Sequence, residues 1–369
     1  MGCGSNTPHP ISFSPLFVIF ALFKSQIGQM KKKTRFIPIL LAVIAVIIVI
    51  VAASVYFSYI VKGYDGNDTK WIYVTGTMDD DDIASMLESE LGSTGKRAAT
   101  LLSLTSADAA RAHGAYMIEP GMSAVTIYRK LSRGAQTPVK LTFNNLRTIN
   151  QLAARIGSRL ETDSAAFIAA CDSILPPKGF NRAGYAAAFI PDSYEFYWTA
   201  SPEKVVNTLL GYRDRYWNDE RRAKASKLGL TPVQVATIAS IAEEETNDRG
   251  ERATVGRLYL NRYEKGMKLQ ADPTVKFAVG DFSLRRITGK HLATPSPYNT
   301  YLNTGLPPGP IRIADAATMT AILDSKPHPY LYMCAKEDFS GRHNFATTYA
   351  EHQRNAARYH KALNSRNIK

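Results

Sequence analysis

Three consecutive glutamates, Glu243, Glu244 and Glu245, are the residues of this sequence best suited to acid–base chemistry. They stand in the last turn of a predicted helix, where the helix dipole disfavours each negative charge by roughly 0.3–1 kcal/mol. A carboxyl group on a partly apolar, uncrowded face can have a raised pKa, which suits a general acid. The alternative from spacing alone is a solvated acidic helix end without a chemical role.

The helix that carries these glutamates is predicted to begin at Thr231. Thr231 and Gln234 form a capping-box pattern, and Pro232 suits the first helical position. An apolar stripe follows at helical spacing, made of Val235, Ile238, Ile241 and Ala242. The pattern therefore predicts an amphipathic helix that ends at the glutamates.

The three carboxylates are predicted to point in different directions, because successive helical residues turn by about 100°. Glu245 lies along the apolar stripe, and Glu244 is expected to face solvent. Glu243 stands over a face of small side chains that leaves room for another group to approach, namely Ala236, Ala239 and Ser240. We therefore predict that Glu243 is the general acid.

Four sequence blocks between Ile238 and His352 carry a family resemblance. They read IASIAEEET, LYLNRYEKGMKLQADPTV, TPSPYNTYLNTGLPPGPI and PYLYMCAKEDFSGRHNFATTYAEH. Their order and spacing closely resemble those of the endolytic murein transglycosylase (YceG-like) family, and a weaker resemblance extends upstream to about Trp71. The resemblance implies an enzyme that cuts nascent peptidoglycan strands internally.

The resemblance also implies the reaction. Most glycosidases need two carboxylates, whereas a lytic transglycosylase can work with one. Protonated Glu243 would donate to the oxygen between N-acetylmuramic acid and N-acetylglucosamine, and then take the proton of the muramyl C6 hydroxyl. That hydroxyl closes on C1, which leaves a 1,6-anhydromuramyl end, consumes no water and terminates the strand. Glu245 is expected to be a supporting group bonded to a donor such as Arg262 or Asn299.

Further residues are candidate sugar contacts or supports of the site. They are Asn261, Arg262, Gln270, Asp272, Tyr298, Asn299 and Tyr301. In the family, the block that contains Gln270 and Asp272 borders the groove. The alternative role for Asp272 is a helix N-cap. Tyr298, Asn299 and Tyr301 lie in loops stiffened by proline and glycine. The alternative for these three residues is a purely structural role, in which they only pack against their neighbours.

Two other functions fit the same residues. One is a catalytically silent protein that binds the wall or acts as a scaffold. The other is a wall hydrolase that uses water, with a second carboxylate such as Asp272 as the base. The chemistry of the product separates the hydrolase from the transglycosylase.

Composition limits the cofactors and partners. Seven histidines without metal-ligand spacing predict no metal site, and we expect no cofactor and no nucleic-acid partner. Three cysteines without a Cys-x-x-Cys pair exclude a disulfide framework. The net charge of +13 suits anionic wall polymers or lipid headgroups, and a solvated surface explains it equally well. The expected partners are peptidoglycan strands and the membrane, and the resemblance adds wall-synthesis proteins.

The N-terminal region predicts a membrane anchor. Residues 36–61 carry no charge and follow a basic cluster at residues 31–35, and about 20 apolar residues span a bilayer. The basic cluster predicts a cytoplasmic N-terminus and a catalytic part outside the cytoplasmic membrane. A cleaved signal peptide is the alternative, but its apolar region usually has only about 7–15 residues. We also predict that translation begins at Met30.

The chain is predicted to be an α+β protein of several domains. We expect a cytoplasmic N-terminus (1–35), a transmembrane signal anchor (36–61), an exported α+β subdomain (62–137), a LysM-like subdomain and joint (138–200), and a mixed α/β catalytic domain (201–369). The resemblance supplies the LysM-like assignment, and a structural spacer is the alternative. Residues 202–228 are predicted to form one long helix.

Overall fold

The computed structural model describes residues 37–105, 109–284 and 286–366. The predicted cytoplasmic segment and the predicted start at Met30 lie outside these residues. The chain divides into two compact units, one up to Ala135 and one from Gln136. The fold is α+β, because short antiparallel strand pairs stand among many helices. The predicted domain ranges stay predictions.

An apolar helix, α1 (Ile37–Val61), corresponds to the predicted anchor. Within the described residues it is the one helix long and apolar enough to cross a membrane. Its 25 residues would extend about 37 Å, against a hydrocarbon core of about 30 Å. In its most apolar stretch of 18 residues, no residue is buried inside the structure. The helix could therefore span a bilayer.

The rest of the first unit packs helices against one antiparallel strand pair. Its elements are β1 (Lys70–Val74), α2 (Asp80–Leu104), α3 (Ala109–Ala112), β2 (Gly114–Ile118) and α4 (Ala124–Ser132). A capping box of Asp79 and Asp82 starts α2. The helix breaks at Gly92, whose φ of +57° is a conformation that glycine adopts easily. One core, which includes Leu87 and Ile127, holds the unit together.

The second unit begins with strands and short helices. They are β3 (Val139–Phe143), α5 (Ile149–Gly157), α6 (Ser164–Ile174), two 3-10 segments (Pro176–Lys178 and Arg182–Ala188) and β4 (Asp192–Phe196). β3 pairs antiparallel with β4. The alternation of apolar Val139, Leu141 and Phe143 with polar residues predicts a strand, and it matches the alternation of buried and exposed residues in β3. Thr148 and Gln151 form a capping box that starts α5. The LysM-like character of this part stays a prediction.

Helices form most of the remaining chain. They are α7 (Pro202–Tyr216), α8 (Asp219–Lys227), α9 (Pro232–Glu245), α10 (Arg252–Glu264), α11 (Asp272–Val279), α12 (Gly289–Leu292) and α13 (Ala316–Leu323). The prediction of one helix over residues 202–228 is wrong. Asn218 interrupts it, because its side chain accepts a hydrogen bond of 3.0 Å from the Arg221 amide and caps α8.

Helix α9 lies at the centre of this part and packs against α10, α11 and α13. Its predicted capping box is confirmed. The hydroxyl of Thr231 accepts from the Gln234 amide at 3.3 Å, and Gln234 Oε1 accepts from the Thr231 amide at 2.8 Å. Every residue from Val235 to Glu243 is buried. The helix is therefore enclosed, and its terminal glutamates meet other elements of the chain.

A hairpin and a long helix complete the unit. β5 (Tyr332–Ala335) pairs antiparallel with β6 (His343–Ala346), and α14 (Tyr349–Ser365) packs on both strands. The described strands of the second unit form two separate antiparallel pairs. The unit is therefore α+β, whereas the sequence predicted a mixed α/β domain.

Candidate active site

The three glutamates at the end of α9 have three different surroundings. Glu243 faces the 311–315 segment, and Glu244 faces arginines from two loops. Glu245 faces a cleft. Since residues two apart on a helix differ by about 200°, Glu243 and Glu245 lie on nearly opposite sides of α9.

Glu243 is enclosed by protein, and its side chain is 0% exposed. Its Oε1 accepts a hydrogen bond of 2.8 Å from the Asp315 amide, and its Oε2 lies 3.0 Å from Nε of Arg312. The contact with Arg312 is an ion pair without hydrogen-bond alignment. Burial raises the pKa of Glu243, and the charge of Arg312 opposes that rise. A glycosidic oxygen cannot reach this carboxylate in the arrangement observed.

The small-residue face that predicted access to Glu243 is filled by the chain itself. Ala236 and Ala239 are buried, and the hydroxyl of Ser240 accepts a hydrogen bond of 3.0 Å from the Ile311 amide. The small side chains do permit a close approach, as predicted. The group that approaches is the backbone of the 311–315 segment rather than a ligand.

Glu244, predicted to face solvent, instead bridges two arginines. It accepts a hydrogen bond of 2.7 Å from Arg147 and one of 3.1 Å from Arg312. Arg312 also donates to the side-chain oxygen of Asn145. Arg312 therefore joins both Glu243 and Glu244 to the turn that precedes α5. This partly buried network holds the last turn of α9 in place.

Glu245 is the member of the three that opens on a cleft. The hydroxyl of Tyr259 on α10 donates a hydrogen bond of 2.6 Å to its Oε1, whereas the sequence predicted Arg262 or Asn299 as the partner. Burial raises the pKa of the half-buried Glu245 to about 7; the bond from Tyr259 opposes the rise, and the charge of Asp272 adds to it. Such a carboxyl group is partly protonated at neutral pH, as a general acid requires.

The cleft beside Glu245 has a volume of about 370 Å³. Helices α9, α10, α11 and α14, strand β5 and the loops before α11 and α13 all contribute to it. The lining residues are Glu245, Leu258, Tyr259, Arg262, Leu269, Gln270, Asp272, Tyr301, Tyr332, Met333, Tyr349 and His352. This mixture of aromatic rings and a few polar groups in a concave site is typical of a binding site for a small ligand.

Four of the residues predicted from the sequence line this cleft: Arg262, Gln270, Asp272 and Tyr301. Arg262 donates a hydrogen bond of 2.6 Å to Gln270 Oε1. Tyr301 donates one of 2.6 Å to Asp272 Oδ1, and burial together with Asp272 raises the pKa of Tyr301. Asp272 is not the N-cap, because α11 begins at Asp272 itself and its side chain is bonded to Tyr301.

The other three predicted residues support the surrounding loops. Asn261 donates to two backbone carbonyls of the 328–330 segment, at 2.7 and 3.0 Å. Asn299 is buried and donates to two carbonyls of the 292–294 segment, both at 2.9 Å. The ring of Tyr298 packs on an aromatic ring of α11, with centroids 4.6 Å apart. None of the three lines the cleft.

The cleft residues missed by the sequence analysis include Tyr332, Tyr349 and His352. These three lie on β5 and α14, far along the chain from Glu245. Local spacing cannot connect residues so distant in sequence. The signal that could have pointed to them is the aromatic and histidine content of the last resembling block.

The model of the YceG-like family matches residues 72–358, which is well over half of the chain. The chain belongs to the YceG-like family.

Curated relatives carry a functional name. An endolytic murein transglycosylase of Bacillus subtilis (strain 168) is 29% identical over 274 residues, which cover 69% of this chain and 74% of the relative. An endolytic murein transglycosylase of Streptococcus pneumoniae (serotype 2, strain D39) is 25% identical over 282 residues, covering 67% of this chain and 50% of the relative. The chain therefore matches only half the length of the streptococcal protein.

A solved structure supports the fold. The crystal structure of a YceG-like protein from Listeria monocytogenes has a TM-score of 0.54 and 25% sequence identity. The match covers 78% of this chain and 99% of that chain. The α+β architecture is thus shared with another YceG-like protein.

The part that matches the YceG-like family contains every residue of the cleft, from Glu245 to His352. Within the described ranges, no group of three or more His, Cys, Asp or Glu side chains could hold a metal ion. The described cysteines, Cys171 and Cys334, are both free thiols.

Proposed function

We propose that this chain is a membrane-anchored lytic transglycosylase that cuts peptidoglycan strands internally. The observation that carries the proposal is the carboxyl group of Glu245, which opens on the cleft and has a pKa raised to about 7. The names of the curated relatives support peptidoglycan as the substrate and transglycosylation as the reaction.

In the proposed reaction, Glu245 is the general acid. It donates its proton to the oxygen that links N-acetylmuramic acid to N-acetylglucosamine, and the bond from C1 to that oxygen breaks. The N-acetyl group of the substrate stabilises the positive charge at C1. The carboxylate of Glu245 then takes the proton of the muramyl C6 hydroxyl, which closes on C1. The product is a 1,6-anhydromuramyl end, and no water is consumed.

The proposal moves the acid from Glu243, which the sequence favoured, to Glu245. A general acid must come within hydrogen-bond distance of the leaving oxygen. Glu243 is buried against Arg312 and the Asp315 amide, whereas Glu245 lines a space that a sugar can enter. Glu243 then serves to hold the last turn of α9.

The polar groups of the cleft provide sugar contacts. The oxygen of the exposed Gln270 amide is held by Arg262, which leaves its NH2 group for a ligand. The exposed Asp272 is held by Tyr301 and can accept hydrogen bonds from sugar hydroxyls. Pairs of this kind keep the polar groups oriented before the substrate binds.

A wall hydrolase is the second candidate, because Asp272 shares the cleft with Glu245. As a base, Asp272 would activate a water molecule, and the product would have a reducing end instead of an anhydro end. This reaction would follow the two-carboxylate scheme of most glycosidases.

The proposed location is the cytoplasmic membrane. Helix α1 would anchor the chain, and the basic cluster at residues 31–35 favours a cytoplasmic N-terminus with the cleft outside. This placement would bring the cleft close to newly made glycan strands. Glycan contact by the LysM-like part and contacts with wall-synthesis proteins belong to the same proposal.

The test is product analysis. The full chain in detergent micelles is incubated with uncrosslinked glycan strands, and the products are weighed by mass spectrometry. Internal fragments with anhydro ends, lost in Glu245→Gln and retained in Glu203→Gln, support the proposal. Reducing ends indicate the hydrolase, and intact strands with retained binding indicate a silent wall-binding protein.

A further inference from the structure

One wall of the cleft is a group of three rings from β5 and α14. The rings of Tyr332 and His352 are nearly parallel, with centroids 5.6 Å apart and an interplanar angle of 25°. Tyr349 lies beside both, with centroid distances of 5.8 and 6.0 Å. Tyr349 is 59% exposed. The wall therefore presents a large aromatic surface to solvent at the edge of the cleft.

Arg262 packs against the Tyr332 ring of this aromatic wall. Its guanidinium carbon lies 5.6 Å from the centre of the Tyr332 ring. Its N–H groups donate to the carbonyls of Lys268 and Leu331 and to Gln270. These bonds hold the guanidinium in place, and the guanidinium in turn fixes the position of the Tyr332 ring. The exposed ring of Tyr349 remains available to contact a ligand.

His352 contributes a polar group to the same wall. Its Nδ1 is buried without a hydrogen-bond partner among the described residues. Burial lowers the pKa of His352, and the positive charge of Arg262 lowers it further. The imidazolium form is disfavoured for a second reason, since it would need an acceptor at each nitrogen. The ring is therefore neutral at neutral pH, and because Nδ1 is buried, the nitrogen left to bond a ligand is Nε2.

We propose that Tyr332, Tyr349 and His352 form a sugar-binding subsite, in which a pyranose ring stacks on the aromatic wall and a sugar hydroxyl bonds to the imidazole. The inference rests on the proposed function for the identity of the polymer. A pyranose has an apolar C–H face and a rim of hydroxyls, and an aromatic surface with one polar ring nitrogen matches both parts.

The other titratable groups around His352 determine how the subsite responds to pH. Arg262 and Tyr332 contact the wall directly, and Glu245, Asp272 and Tyr301 line the rest of the cleft. On β6, His343 is bonded to Glu251. Arg262 is the cation whose charge lowers the pKa of His352. Protonation of His352 would place two positive charges together, so the subsite should weaken in acid.

The first test measures affinity without turnover. Full-length Glu245→Gln in detergent micelles is titrated calorimetrically with glycan strands from which the stem peptides have been removed. Adding Tyr349→Ala should weaken binding roughly tenfold, because one stacked ring is lost. Tyr212→Ala is the matched control, since Tyr212 on α7 is 40% exposed, lies in the same unit outside the LysM-like part and does not line the cleft. Its affinity should equal that of the parent.

The second test uses pH. In the parent, affinity for the stem-free strands should fall only at a pH below the usual histidine pKa of about 6.5, because burial and the charge of Arg262 lower the pKa of His352. His352→Gln cannot take up this proton, so its affinity should be weaker at neutral pH and flat across the same range. In the active chain, His352→Gln should raise KM more than it lowers kcat.

The outcomes separate the subsite from the proposed function. The subsite is overturned if Tyr349→Ala binds as tightly as Tyr212→Ala and His352→Gln keeps the parent's pH dependence. If the active chain still produces anhydro ends in that case, the proposed function is kept and only the subsite is rejected. If the parent binds no strands and the active chain cuts none, the proposed function fails and the subsite fails with it.

Discussion

The hydroxyl of Tyr259 donates a hydrogen bond of 2.6 Å to the carboxylate of Glu245, and this bond joins the end of α9 to the middle of α10. It stabilises the charged form of Glu245, whereas burial stabilises the neutral form more strongly. The balance places the pKa of Glu245 at about 7. A carboxyl group tuned in this way can both donate and accept a proton near neutral pH.

Replacing Glu245 by glutamine should lower kcat roughly 10²–10⁴-fold, which is the usual contribution of general acid catalysis. The amide keeps the shape of the side chain and cannot donate the required proton. Release of anhydro fragments from glycan strands measures the loss. Glu203→Gln, an exposed glutamate on α7, is the control and should retain full activity. Full activity in Glu245→Gln would exclude it as the acid.

Replacing Tyr259 by phenylalanine should raise the pKa of Glu245, because the bond from Tyr259 favours the carboxylate. The acid must be protonated, so activity in the wild type should decline as the pH rises through about 7. In Tyr259→Phe this decline should move to higher pH. The measurement is kcat/KM as a function of pH, and an unchanged alkaline limb would contradict the assignment.

The contribution of Glu245 to the stability of the second unit should fall as the pH rises from about 4.5 to about 7. In this window the folded state retains a proton on Glu245 that the unfolded chain has lost, so higher pH favours unfolding. The shift corresponds to at most about 3 kcal/mol, reduced by the solvent in the cleft. Glu245→Gln should therefore be more stable than the wild type at pH 8.

Urea unfolding at two pH values measures this difference. At pH 4 the advantage of Glu245→Gln should disappear, because Glu245 is then protonated in both the folded and the unfolded chain. An equal advantage at both pH values would show that the gain does not come from the titration of this carboxyl group.

Replacing Arg312 by glutamine should destabilise the chain by about 3–5 kcal/mol, because Glu243 would remain buried without its cation. The double variant Glu243→Gln/Arg312→Gln should recover part of this loss, since no buried charge is left unpaired. Urea midpoints at pH 7 compare the two, with Arg155→Gln as an exposed control. A double variant less stable than the single one would contradict the pairing.

Features that depend on neighbours in sequence are predictable from the sequence alone. The capping box of Thr231 and Gln234 and the alternation of β3 are both observed. The uncharged run at residues 36–61 likewise appears as α1. These signals are reliable because the hydrogen bonds and side-chain periods that produce them span only a few residues.

The helix break at Asn218 shows the limit of this local reasoning. Residues 202–228 were predicted to form one helix, and the cap residue Asn218 starts a second, mostly polar helix instead. The separate strand pairs of the second unit show the same limit, since β3 and β4 are joined by a long connection that contains α5 and α6.

By itself, the sequence determined that an amphipathic helix ends in three glutamates that point in three directions, and its blocks indicated the YceG-like family. Only the tertiary structure decided which glutamate reaches a cleft. The 311–315 segment covers Glu243, while Tyr332, Tyr349 and His352 form the space beside Glu245. Small residues on a helix predict that something packs closely there. Whether that is a ligand or the chain's own backbone depends on segments distant in sequence, which are brought together only by folding.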